Sequence, residues 1–299
     1  MSKDEVKTPE QDISVFWNRC YEPSTRNLLF EPWEVLKQDG TPYKVFTPYW
    51  NLMQKELVIE NPLSLDRSIK APQQFPKYLS IDELKLLPSK QSPSLKLKWD
   101  KSMISYWKVG ELAASNRLDE FLDQSVYDYK KSRDFPAIEA ENPKNDFGVG
   151  HLLREVAWRE FAYSLLFHFP QTIDQPLNKK FEGFEWKENY QDHLKRWQTG
   201  MTGFPIIDAG MRELWNTGWM HNRVRMIVAS FLTKNLLIPW QEGEAWFRDT
   251  LVDADLASNI MGWQWVAGSG ADAAPYFRIF NPILQSKKFG NISVVGYLN

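Results

Sequence analysis

Between Trp215 and Gln285, apolar residues recur at helical spacing inside a run dense in aromatics and paired charges. Val224, Ile227, Val228, Phe231 and Leu232 fall on one face of a helix opened by Asn222, Arg223 and Arg225. Asp253, Asp255 and Asn259 follow, and then the triplet Trp263-Gln264-Trp265. A chain that places acids and cations beside such an apolar face has to pair them, because buried Asp and Arg are rare otherwise. A pair such as Arg225 with Asp253 is therefore expected. A structural ion pair would explain these charges. A bound heterocycle with N–H and C=O groups would also explain why acids and asparagines converge.

The rest of the chain reads around this stretch. Residues 1–12 are polar and expected to be unstructured. Ile13 to Pro23 looks like a strand running into a turn, and Asp39-Gly40 with Thr41-Pro42 marks a turn between two apolar runs. Residues 51–98, rich in Pro, Lys, Ser and Gln, read as a linker. Helical pattern takes over near residue 110, where Leu118, Phe121, Leu122 and Tyr129 recur at helical spacing, and it defines a helical domain over 99–299. Further helices are expected over 149–168 and over 206–217, the second started by Pro205. The fold class is mainly α. No βαβ series and no internal repeat is present.

Composition narrows the function classes. The net charge is -2, so there is no global basic field, and any DNA site has to be a local patch. Cys20 is the only cysteine, which excludes an intrachain disulfide framework and a Cys-rich metal site and fits a reducing compartment. The opening MSKDEVKTPEQD does not resemble a signal peptide, and the best apolar run is broken by Lys234 and Asn235. A soluble, cytoplasmic, monomeric protein is expected, with no membrane partner. His151, His168, His193 and His221 lack metal-ligand spacing, so no metal is expected. No glycine-rich dinucleotide fingerprint follows a strand, and no nucleophile elbow is present. Fourteen tryptophans are many for 299 residues, and some are expected to stack on a ligand or carry electrons, although core packing accounts best for any single one.

Over 149–168, Glu155, Trp158 and Arg159 stand at i, i+3 and i+4 and so share a helix face. A carboxylate, an indole and a guanidinium side by side suit a nucleic-acid base: the acid bonds its edge, the ring stacks, the cation meets phosphate. A surface ion pair beside a rim Trp suits the same spacing, and pattern alone favours that plainer reading.

The motifs TGFPIIDAGMRELWNTGWMHNRVRM, DADLASN, GWQW and DAAPYFRIFNPILQ, with the earlier GTPYKVFTPYW and LLREVAWREFAYSLLFHFP, occur in this order. Together they resemble the cryptochrome/photolyase family, most closely a class I photolyase for cyclobutane pyrimidine dimers. The resemblance implies a helical FAD- and DNA-binding domain, with residues 1–50 a remnant of the family's α/β antenna domain. It implies FAD as cofactor, touched by Tyr129, Arg159, Asn222, Arg225, Asp253, Asp255 and Asn259. Asn259 would face the reactive edge of the flavin. It implies damaged DNA as partner, met by Arg133, Glu155, Trp158, Arg223, Trp265 and Gln285. Trp263, Trp240 and Trp186 match the family's electron-relay tryptophans. Asn259 and the second Trp of GWQW resemble enzymes for cyclobutane dimers. The implied activity is a light-driven carbon–carbon lyase reaction; a cryptochrome-like light sensor and an inactive truncated homologue are the alternatives. The family's Thr-Ser-Arg-Leu-Ser-like phosphate loop after RDFP and most of the antenna domain have no counterpart here. Weak FAD affinity and no antenna chromophore are therefore expected.

Overall fold

The computed structural model describes residues 28–58, 79–80, 83, 100–123, 125–129, 147–273, 275 and 277–289. Among them the regular structure is helical: α1 (Phe46–Glu56), α2 (Lys101–Tyr106), α3 (Glu111–Asp123), α4 (Phe147–His168), α5 (Gln191–Gln198), α6 (Pro205–Thr217), α7 (Asn222–Ser230), α8 (Trp240–Thr250), α9 (Leu256–Ala267) and α10 (Pro282–Phe289). The only pairing of extended backbone in the described residues is an isolated bridge between Leu36 and Pro42. It closes the Asp39-Gly40 turn read from the sequence, where Thr41 N–H donates to the Asp39 carboxylate at 2.9 Å.

Helix ends follow their capping residues. Pro205 opens α6, its missing N–H costing nothing in the first turn. His221 caps α7 by accepting Arg223 N–H on Nδ1 at 3.1 Å. Asp255 caps α9 by accepting Ser258 N–H at 2.8 Å, and Gly268, at φ 89°, ends that helix in the left-handed conformation. Helix α7 continues into a π-helical turn, Phe231–Asn235.

The main apolar core gathers Ile207, Met211, Ile227, Leu232, Trp240 and Trp263, and so joins α6, α7, α8 and α9. All the apolar positions named for the 222–232 helix are buried. A second core packs Phe46, Tyr49 and Met53 of α1 against Ala157, Phe161 and Leu165 of α4. Glu160 of α4 is 2% exposed, and its carboxylate accepts the N–H groups of Leu29 and Phe30 at 2.8 and 3.1 Å. Burial pushes its pKa up, against those two bonds and Arg159.

Two features qualify the sequence reading. The boundary drawn between residues 50 and 51 falls inside α1, because Tyr49 and Met53, at i and i+4, both bury against α4 and hold the helix together across it. In α3 the apolar spacing is present, but no residue of the helix is buried. The strand read over 13–23, the polar start 1–12, and Arg133 with the segment after it lie outside the described residues.

Candidate functional site

A cleft of about 490 Å³ opens among α4, α7, α8 and α9. Helix α4 presents Glu155, Trp158 and Arg159 to it, α7 presents Asn222 and Arg225, the α8–α9 connection presents Asp253 and Asp255, and α9 presents Asn259, Trp263 and Trp265. The helical spacing on α4 and the Asn259–Trp263 pair on α9 aim each set at one face. Glu155 lies 3.7 Å from His151, and Arg159 lies 3.6 Å from Glu160.

The charges are arranged as braces. Arg225 donates from Nη2 to Asp253 at 2.8 Å and from Nε to the Met220 carbonyl at 2.6 Å, which fixes the guanidinium plane. Asp255, besides capping α9, accepts the Tyr163 hydroxyl at 2.5 Å. Burial would raise the Asp255 pKa, but bonds from Ser258 and Tyr163 with the Arg159 charge outweigh it and hold the carboxyl below its usual range. The Arg159 guanidinium in turn sits 5.1 Å from the Tyr163 ring centroid. Asn259 donates its side-chain NH2 to both the backbone carbonyl and the carboxylate of Glu244, at 3.0 and 3.1 Å. With both N–H groups used, the amide oxygen is the atom left for a ligand. Glu244 is buried, which pushes its pKa up against Arg248 and Asn259.

The indoles are placed with similar care. Trp158 stacks on Phe46 at 3.6 Å between centroids and 9° between planes, so α1 backs the ring that α4 turns to the cleft. Trp263 lies against Gly243 of α8, where a Cβ would come within 2.1 Å of the ring. Only glycine admits this approach. Trp240 is buried in the same core, and Trp186 packs against it, half-buried and 4.5 Å from Phe184.

Other expected site residues stand elsewhere. Tyr129 packs against His151, 6.1 Å between centroids, and does not line the cleft. Arg223 and Gln285 are also outside its lining. Sequence reasoning missed Phe46, Tyr163 and Glu244. Tyr163 had a signal, standing four residues after Arg159 on the α4 face. Among the described residues no cluster of three or more His, Cys, Asp or Glu could hold a metal, and no helix is long and apolar enough to cross a membrane.

Residues 152–293 match the FAD binding domain of DNA photolyase. The chain is 42% identical to the deoxyribodipyrimidine photo-lyase of Agrobacterium fabrum, over 92% of this chain and 66% of that protein. It is 36% identical to the Synechococcus enzyme of the same name, over 93% of this chain and 67% of the other. The solved class III photolyase of Agrobacterium tumefaciens superposes with a TM-score of 0.80 at 43% identity, covering 91% of this chain and 60% of that one. The helical cleft and these relatives define a flavin-domain protein, and the chain belongs to the cryptochrome/photolyase family. It spans about two thirds of the length of the Agrobacterium fabrum relative. The class I detail read from the motifs finds no support among these names.

Proposed function

We propose that the chain acts as a photolyase-type flavoprotein that repairs cyclobutane pyrimidine dimers in DNA by light-driven electron transfer from reduced FAD. The observation that carries this reading is the convergence, on one cleft, of Glu155, Trp158 and Arg159 with Asn222, Arg225, Asp253, Asp255 and Asn259. The relatives named deoxyribodipyrimidine photo-lyase support it.

The residues present fit a flavin. Its ring edge, with N–H and C=O groups, matches the braced Arg225–Asp253 pair, the Asp255 carboxylate and the Asn259 amide oxygen. Arg159, a second cleft cation beside Arg225, suits a diphosphate. When bound, reduced FAD supplies the electron that light promotes. The protein's own groups bind, orient and keep water away. Trp158 and Trp265 offer flat faces for an extruded base, and Glu155 accepts hydrogen bonds from its edge. Arg223, Gln285 and Arg133 are read as phosphate contacts on the DNA, and Tyr129 as a contact to the flavin phosphates. Trp263, Trp240 and Trp186 are read as the series that returns electrons to the flavin. The protein is read as a monomer that meets DNA in the cytoplasm and holds FAD weakly, without an antenna chromophore.

The test is repair of a dimer-containing oligonucleotide under blue light by purified, FAD-supplemented protein. Restored thymines, absent in the dark and reduced by Glu155→Ala, are the expected result. Bound flavin with light-induced radicals but no repair favours a sensor of cryptochrome type. Neither signal means an inactive homologue.

A further inference from the structure

A second cavity, also about 490 Å³, shares no lining residue with the cleft. Trp186 and Trp240 line it, whereas Trp263 lines the cleft. The indoles are linked through one core. Trp263 lies against Gly243, one helical turn from Trp240 on α8. Lys187 N–H donates to the Leu237 carbonyl at 2.8 Å, tying the Trp186 segment to the loop that leads into α8. Members of the proposed tryptophan series thus line both cavities.

We propose that this second cavity docks a small hydroquinone-type molecule that gives one electron to Trp186. The proposal rests on the flavin reading above. Its volume falls in the range of small-molecule pockets. The Phe184 and Trp186 rings, 4.5 Å apart, offer apolar surface to a ring, while Trp240 lines the cavity at 2% exposure. Among the described residues, two polar atoms there lack a partner. The Ser269 hydroxyl, in a residue 3% exposed, makes no hydrogen bond. The Gln241 side-chain oxygen makes none either, although its NH2 is fixed on the Asp174 carbonyl at 2.9 Å. A buried acceptor without a donor is costly, and a phenolic O–H supplies one after a small rotation of either side chain. The π-helical turn Phe231–Asn235 places Thr233 and Lys234 on the same wall, and such turns recur at functional sites.

The step balances as follows. The indole radical cation left on Trp186 by inward transfer takes one electron and returns to neutral indole. The donor's O–H proton passes to the Glu182 carboxylate at the rim, and the donor leaves as a neutral phenoxyl-type radical.

Titration of the purified chain with methylhydroquinone in the dark, without flavin, tests the site by indole N–H resonances. Saturable shifts confined to Trp186 and Trp240 are expected, with affinity lowered about tenfold by Gln241→Leu, the worth of roughly one hydrogen bond. Ser269→Ala removes an unpaired hydroxyl, leaves folding intact and also weakens binding. No saturation, shifts centred on Trp158 and Trp265, or indifference to both variants overturns the proposal. In FAD-loaded protein, recovery of the Trp radical should saturate with methylhydroquinone at the same dissociation constant and rise only linearly with dithiothreitol. A linear rise with both refutes docking. Because the dark titration needs no flavin, its failure is separable from failure of repair.

Discussion

Helices α7 and α3 carry the same kind of apolar spacing and meet opposite fates. In α7 and the turn after it, Val224, Ile227, Val228, Phe231 and Leu232 are all buried. In α3, Leu112, Leu118 and Leu122 are 77%, 55% and 44% exposed. Periodicity says that a helix has an apolar face, and neighbours decide whether that face is covered. Helix α7 packs with α6, its π-helical continuation and α9, while α3 meets mainly the short turn Ser125–Asp128 among the described residues.

The contrast can be broken by mutation. Ile227→Ala should cost about 2–5 kcal/mol in denaturant unfolding, since Ile227 is fully buried in the main core. A loss below about 1 kcal/mol would mean that the α7 face is loosely packed. Gly243→Ala should cost about 1–3 kcal/mol, because the added methyl collides with Trp263. It should also shift Trp263 fluorescence and slow photoreduction in FAD-loaded protein. An unchanged Trp263 signal would show that the helices part without moving the ring. Asp255→Ala should cost about 0.5–2 kcal/mol through loss of the α9 cap.

Asp255 also has a pH signature. Its folded pKa lies below the ordinary 3.8, so its contribution is present above 3.8 and is lost as pH falls through the lower folded value. Asp255→Asn should flatten that part of the acid limb. Glu160 and Glu244 act in the opposite sense. Their raised folded values mean a contribution that is full below 4.5 and lost as pH rises through the folded pKa. Smallest of all, Leu118→Ala on α3 should change stability by no more than about 0.5 kcal/mol. A loss comparable to that of Ile227→Ala would show that α3 is covered in solution.

The same contrast separates what was legible in the sequence from what was not. Helices α4, α6 and α7 were readable because their spacing and their Pro205 and Asn222 starts act locally. The cleft residues on α4, α7 and α9 were readable because motif order and i, i+3, i+4 spacing place them on shared faces. Tertiary bonds left no local trace. Tyr163 meets Asp255 from 92 positions away, and Phe46 stacks on Trp158 from a helix that begins in the stretch read as an antenna-domain remnant. Glu244 gave no hint that it holds Asn259, since it looks like any acid in the first turns of an amphipathic helix. Tyr129 was expected at the cofactor and stands beside His151, outside the cleft lining.

The Glu160 carboxylate on the N–H groups of Leu29 and Phe30 spans 131 and 130 positions, and the Phe46 N–H on the Asp272 carboxylate spans 226. These bonds clasp the first described segment to the helical body independently of the covalent path between α1 and α2. A chain cut between Glu56 and Asp100 would keep α1 and the ring that backs Trp158 in place by noncovalent bonds alone. Two separately made fragments divided there are expected to reassemble the cleft wall, which co-purification of the pair would check.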